Sequence, residues 1–283
     1  MVGAIPAGCG QCFPCRINRR RVWTHRLMLE SLVHGDSTFG TLTYAPEHLP
    51  AGGNLVPEHL RNFLKRLRFE ISPRRLRFYA VGEYGDKSWR PHYHLALFGV
   101  SIAETEMVRR VWGFGHVMLG DLTTSSAQYI AGYVTKKMTN SKDSRLSGRH
   151  PEFARMSLKP GIGALSIGQV AAVLKSPFGQ EEVQALGDVP HSLKVGSKAM
   201  PLGRYLRRKL REALGRSPDT PEEVILRYAQ EMHDLFESEK VNEADKAYPS
   251  SFNDKKSVYQ RMNKQRYRNV DSKAKIFDPK RSL

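Results

Sequence analysis

The segment Arg90-Pro91-His92-Tyr93-His94-Leu95-Ala96-Leu97-Phe98-Gly99 restricts the fold more than any other stretch of this chain. Its alternation and its apolar second half read as a strand closed by a glycine. Successive side chains of a strand point to opposite faces, so His92 and His94 share one face while Tyr93, Leu95 and Leu97 point to the other. Two imidazoles on one face are half of a metal site, or two polar residues on a sheet surface. A second motif, Tyr129-Ile130-Ala131-Gly132-Tyr133-Val134-Thr135-Lys136-Lys137, weighs toward chemistry. At 100° per residue Tyr129, Tyr133, Lys136 and Lys137 fall within an arc of about 100°, while Ala127, Ile130, Ala131, Val134 and Met138 gather on the other side. A helix there has a core face and a separate face of two phenols and two ammonium groups. The plainer alternative is an aromatic pair at i and i+4. Gly132 weakens such a helix by about 1 kcal/mol relative to alanine, and close approach of a DNA strand or another backbone is one use for it.

Around these motifs the chain alternates strand and helix signals. Thr38 to Tyr44 and Leu76 to Val81 read as strands, Pro57 opens a helix with Leu60, Phe63, Leu64 and Leu67 on one face, and Pro73 stops it. Residues 103 to 112 suggest a helix, 115 to 119 a short strand, and Asp121 to Ser126 the start of the tyrosine helix. Glu83 comes nine residues before His92, a distance suited to a neighbouring strand that doubles back and brings a carboxylate to the imidazoles. Residues 139 to 152 are polar and basic and read as a mobile loop. The glycines of 157 to 163 suit a tight turn, and the region through Gly187 reads as partly helical. Ser217-Pro218-Asp219 marks a boundary, giving units 1–215 and 216–283. Thr220-Pro221-Glu222-Glu223 then opens a helix of about 20 residues or more, with a capping residue, a first-turn proline and a glutamate at the third position. Beyond Tyr248-Pro249 the tail is charge-mixed, as in segments that are partly disordered or coupled to a partner.

Charge narrows the class. Forty-five lysines and arginines against 28 acids leave +17, an excess suited to a polyanion. Nucleic acid is the first candidate and an anionic membrane surface the second. The basic residues Arg19, Arg20 and Arg21, on a helix expected over 17–33, and Arg66, Arg68 and Lys137 are the candidate DNA contacts. Leu202 to Lys209 adds another basic patch. No apolar run is long enough to span a bilayer and no signal-peptide pattern opens the chain, so the expected location is the cytoplasm. Three cysteines, Cys9, Cys12 and Cys15, cluster in one short segment and do not suggest a secreted disulfide framework. They can place three thiolates on one zinc ion, with His25 the nearest fourth ligand, or they can be reduced cysteines packed in a turn.

The chemistry these pieces support is cleavage of a phosphodiester. A phenol, with an ordinary pKa near 10, can attack a phosphate and later leave it. A divalent ion held by His92, His94 and Glu83 would polarise that phosphate, and Lys136 or Lys137 would add positive charge or help lower the phenol pKa. The covalent phosphotyrosine would keep the energy of the broken bond, so the strand could be rejoined. The charge is also compatible with a non-enzymatic single-strand binder that tracks phosphate and stacks bases on aromatic rings.

Pro-His-Tyr-His-Leu-Ala-Leu-Phe, Gly-Glu-Tyr-Gly upstream of it and Tyr-x-x-x-Tyr-Val-x-Lys-Lys downstream resemble the HUH endonucleases, in particular the rolling-circle replication initiators of small single-stranded DNA phages, the Microviridae. Cys-Gly-Gln-Cys-x-x-Cys-Arg, the Thr-Leu-Thr-Tyr strand and Lys-Pro-Gly-Ile-Gly resemble the gokushovirus branch. The resemblance runs from about residue 8 to about residue 210. It implies an α+β fold of the HUH/RRM-like type, a central antiparallel sheet with flanking helices and the histidines on an inner strand, here followed by a helical C-terminal extension. It further implies that His92, His94 and Glu83 hold Mg²⁺ or Mn²⁺, that Tyr129 and Tyr133 are paired nucleophiles, and that Lys136 is the lysine that follows them. One tyrosine would nick the origin and take the 5′ phosphate, freeing a 3′ hydroxyl, and the second would release and circularise the displaced strand. A host helicase and DNA polymerase are the implied partners, in the cytoplasm of a bacterial host. A plasmid relaxase or transposase shares this chemistry and differs in biological context.

Overall fold

The computed structural model describes residues 10, 12–85, 88–133 and 141–244. Five strands form an antiparallel sheet in the order β4-β1-β3-β2-β5: β1 (Ser37–Thr43), β2 (Arg77–Tyr84), β3 (Pro91–Phe98), β4 (Val117–Asp121) and β5 (Phe153–Met156). The histidine strand β3 is therefore the centre of the sheet. Its apolar residues are buried on both faces, which explains why its second half reads as a continuous apolar run. β5 escapes a sequence reading because four residues carry too little alternation. It exists because β2 offers it a free edge, pairing Tyr79 with Met156 and Gly82 with Phe153.

Helices cover both faces. On the face of Tyr93, Leu95 and Leu97 lie α2 (Pro57–Glu70) and α3 (Thr105–Trp112), whose Leu60, Phe63, Leu67, Val108 and Trp112 complete that core. Gly113 ends α3 in a left-handed conformation, its N–H donating to Arg109 O. Gly115 then passes so close to β1 that a Cβ would stand 2.3 Å from Ala45 N. On the opposite face, where His92 and His94 point, lie α1 (Phe13–Ser31) and α4 (Thr124–Tyr133), packing Leu27, Ala127 and Ile130 against Tyr79, Val81, Ala96 and Phe98. The helix expected from residue 17 begins four residues earlier, because Pro14 suits a first helical turn. The tyrosine helix has the expected core face, with Ala127, Ile130 and Ala131 fully buried.

A third core joins the far end of α1, through Leu29, to α5 (Ile167–Leu174), α6 (Pro177–Leu186) and α7 (Gly203–Ala213). Between α6 and α7 stands a hairpin of β6 (Ser192–Val195) and β7 (Lys198–Pro201), whose four-residue strands are too short to be legible in the sequence. The C-terminal helix α8 (Glu222–Ala244) runs for 23 residues, as its capping sequence suggests. Its entry is fastened to α7, since Arg211 donates to Pro218 O at 3.1 Å and to Thr220 Oγ1 at 2.9 Å and forms an ion pair with Asp188. Among the described residues no helix is long and apolar enough to cross a membrane.

One buried ion pair fastens α1 to the sheet. Glu30 accepts from Arg77 Nε of β2, and its other oxygen accepts from Gly163 N at 2.6 Å, while Arg77 Nη2 donates to Pro160 O at 2.9 Å. Both side chains are almost wholly buried. Removing one partner strands the other charge, so Arg77→Met is expected to lower unfolding free energy by about 3–5 kcal/mol. Combining it with Glu30→Gln should recover part of the loss, read from urea denaturation midpoints.

Candidate active site

The sheet register assembles the site. His92 pairs with Thr43 on one side and Glu83 on the other, and His94 with Thr41 and Val81, so all of these side chains face α1 and α4. His94 is buried, with Nε2 at 2.9 Å from Glu83 Oε1 and Nδ1 at 3.0 Å from Thr41 Oγ1. The carboxylate expected from the doubling-back strand is thus in contact with an imidazole. A threonine hydroxyl can donate or accept, so Thr41 can hold either tautomer of the ring.

From α4 the two phenols close over this pair. The Tyr133 ring stacks on His94 at 5.1 Å between centroids and 5° between planes, and Tyr129 meets His94 edge-on at 5.2 Å and Tyr133 at 5.0 Å. Phe39 of β1 joins the group, 6.0 Å from both His94 and Tyr129. The tyrosines differ in access. Tyr129 is 40% exposed, whereas Tyr133 is partly buried and hydrogen-bonded to Tyr129 and Glu83. Burial, and then the Glu83 charge, push the Tyr133 phenol well above its ordinary pKa. The described surroundings therefore act against the lowered phenol pKa expected from Lys136 and Lys137, which lie outside the described residues.

His92 stands differently from His94. Its ring centroid is 6.4 Å from that of His94, and its Nε2 lies beside the β2–β3 turn, 3.0 Å from where a Cβ on Gly85 would be. Among the described residues no three His, Cys, Asp or Glu side chains are arranged as metal ligands. His94 and Glu83 converge, and His92 is adjacent without converging. The nitrogen and carboxylate donors are of the type that binds hard divalent ions, so the residue types fit such an ion.

The other candidates scatter. Arg20 Nε donates to Gln128 O at 3.0 Å, stitching α1 to the tyrosine helix, while Arg19 is exposed and Arg21 donates to Ala199 O at 2.7 Å. Arg66 and Arg68 belong to α2 on the far side of the sheet. Arg66 Nη2 donates to Val111 O at 2.9 Å at the end of α3, and Arg68 stacks over Phe78, so the fold does not bring them to the tyrosines. Cys12 precedes α1 and Cys15 lies in its first turn; Cys9 is outside the described residues. His25 is not their partner. It lies ten residues beyond Cys15, about 15 Å along the helix, and its Nδ1 is 3.0 Å from Pro201 O. Thr41 and Phe39 join the site without a motif of their own; their alternation in a strand paired with β3 is the signal that would find them. Among the described residues no other backbone crowds Gly132. A Cβ there would meet the Arg20 guanidinium at 3.6 Å, an ordinary contact.

Two outcomes follow from this geometry. Gly132→Ala fits the space and should stabilise the protein by about 0.5–1 kcal/mol in thermal or urea unfolding. In metal-free protein, absorbance of phenolate near 295 nm should show no Tyr133 ionisation in the range where an ordinary phenol titrates, about pH 10. Glu83→Gln removes the neighbouring negative charge and should move that ionisation to lower pH, measured as the difference from the same protein carrying Tyr133→Phe.

Comparison with known proteins agrees with the motif reading. The family model of the replication-associated protein ORF2 type matches residues 37–138, the stretch from β1 past the tyrosine helix. Replication-associated protein VP4 of Bdellovibrio phage phiMH2K is 33% identical over 156 residues, 48% of this chain and 50% of the relative. Replication-associated protein ORF2 of Spiroplasma virus 4 is 35% identical over 178 residues, 55% of each chain. Replication-associated protein ORF4 of Chlamydia phage 1 is 29% identical over 157 residues, 47% of this chain and 39% of the relative. The chain spans about half the length of the curated relatives it matches. No solved structure matches it. The strand bearing the histidines, its neighbours β1, β2 and β4, and the helix bearing the tyrosines all fall within the matched segment, and through it the chain belongs with the phage replication-associated proteins of the ORF2 type.

Proposed function

We propose that this chain initiates rolling-circle replication by nicking single-stranded origin DNA through a tyrosine and later rejoining the displaced strand. The observation that carries this reading is the packing of Tyr129 and Tyr133 onto the hydrogen-bonded pair His94–Glu83. Four groups in mutual contact there include two phenols able to attack phosphorus and a carboxylate able to take a phenolic proton. The phenol oxygen forms a bond to the scissile phosphorus, the 3′ oxygen leaves and takes a proton, and the 5′ phosphate stays on tyrosine. Attack by a 3′ hydroxyl on that ester reverses the step and joins two ends.

His94, Glu83 and, with its ring turned toward them, His92 would hold Mg²⁺ or Mn²⁺, which supplies positive charge to polarise the phosphate. Thr41 orients His94 for that role. Accessibility separates the phenols: Tyr129 is open to a strand arriving from solvent, whereas Tyr133 lies beneath it against Glu83. Tyr129 therefore acts first, and Tyr133 serves the second cleavage, when the displaced strand is released. Lys136 adds charge beside the phosphate, and a host helicase and polymerase extend the 3′ end in the cytoplasm of the bacterial host.

The test incubates the protein with labelled single-stranded DNA carrying the origin of a related phage and Mn²⁺, then resolves denatured products by gel and mass spectrometry. The expected product is a DNA–peptide adduct on Tyr129, lost on chelation and reduced at least about 100-fold by Tyr129→Phe or His94→Ala, with Tyr133→Phe retaining the first cleavage. Salt-sensitive binding with no adduct in Mg²⁺ or Mn²⁺ would instead establish a non-enzymatic single-strand binder.

A further inference from the structure

The stretch from Val189 to Arg211 contains seven lysines and arginines and no acid. Four of the seven are neutralised within the fold: Arg207 and Arg211 by Asp188, and Arg208 and Lys209 by Glu212. Lys194, Lys198 and Arg204 are exposed, and among the described residues no acidic side chain pairs with them. A charge run of this kind is often only a solvated face. What distinguishes this one is how firmly, and where, it is held.

A lone two-stranded hairpin is marginal in water. The β6–β7 hairpin packs Leu193 and Met200 into the core shared by α5, α6 and α7. Its return strand is bound along α1, with Arg21 Nη2 donating to Ala199 O at 2.7 Å and His25 Nδ1 lying 3.0 Å from Pro201 O. Gly203, just after the hairpin, lies so near α1 that a Cβ would stand 2.8 Å from Val22 Cγ1. The turn then projects Lys194 and Lys198 into solvent on successive faces, around Gly196 with its φ of +60°. Arg20 and Arg21, neighbours in sequence and about 100° apart around α1, hold two different structures: Arg20 the tyrosine helix, Arg21 the hairpin. The hairpin and the tyrosine site are therefore braced on the same two residues of one helix.

We propose that the β6–β7 hairpin, with Arg204 behind it, is a phosphate-tracking surface for single-stranded DNA outside the tyrosine site. It holds the strand by backbone charge rather than by base identity. The proposal rests on single-stranded DNA being the substrate, and it extends the nucleic-acid contact to residues outside the matched family segment.

The test measures fluorescence anisotropy of labelled oligothymidylates of about 6 and about 20 nucleotides, lengths chosen to contact one site or to reach beyond it. It uses the full chain carrying Tyr129→Phe and Tyr133→Phe, which cannot form an adduct, so the result does not depend on whether the protein nicks DNA. Adding Lys194→Glu and Lys198→Glu is expected to weaken the long oligonucleotide about tenfold more than the short one. It should also lower the salt slope of the long complex by about 1.4, the value for two phosphates released from a single strand. Lys194→Ala with Lys198→Ala should act in the same direction with a smaller loss, and decides the matter if the reversed charges disturb the circular dichroism spectrum. Equal weakening at both lengths, or no weakening at either, would overturn the proposal.

Discussion

The carboxylate of Glu30, buried between a helix and a sheet, is the contact on which the arrangement of this protein depends. Leaving water costs such an ion several kcal/mol, so it is tolerated only with its lone pairs occupied. Arg77 of β2, the N–H of Gly163 and His34 at 3.3 Å occupy them. These bonds fix where α1 crosses the sheet and draw in the 160–163 turn, because Arg77 also holds Pro160 O. With α1 placed, Arg20 reaches Gln128 O and positions α4. The tyrosines are thus located by a charge pair distant from them in sequence and absent from the chemistry.

The opposing constraint is the register of β3. A one-residue slip would send His92 and His94 to the face of Leu60, Phe63 and Trp112, and Tyr93, Leu95 and Leu97 toward the tyrosines. Tyr93 secures the register from below. Its hydroxyl donates to Val56 O, accepts from Val56 N and lies 2.9 Å from Tyr44 Oη. Because burial on one face is so specific, the polar residues on the other are held to their rows: Thr41 beside His94, Glu83 beside His92.

Within the site, burial and charge keep the inner phenol protonated. A buried phenol beside a carboxylate is a poor nucleophile until that negative charge is compensated. The outer phenol shares its ring contacts without sharing its burial. The pair is chemically alike in sequence and unlike in environment, and environments that diverge in this way separate the roles of paired titratable groups.

Much of this is legible in the residues. Alternation identifies the histidine strand, its face and the neighbouring Glu83, and the 3.6-residue period separates the core face of α4 from its tyrosine face, because both patterns depend only on neighbours along the chain. The capping sequence at Thr220 marks the start of the last helix for the same reason. The helix α2 is equally visible, but its Arg66 and Arg68, which composition offers as DNA contacts, are spent by the fold on α3 and Phe78, on the far layer of the sheet. His25 lies near the cysteines in sequence and is drawn to Pro201 instead. β5 and the β6–β7 hairpin form only because a sheet edge and a helix flank are available to them. Local sequence determined which side chains share a face; tertiary packing alone decided which faces meet, since long-range pairing and the satisfaction of buried polar groups are properties of the assembled chain.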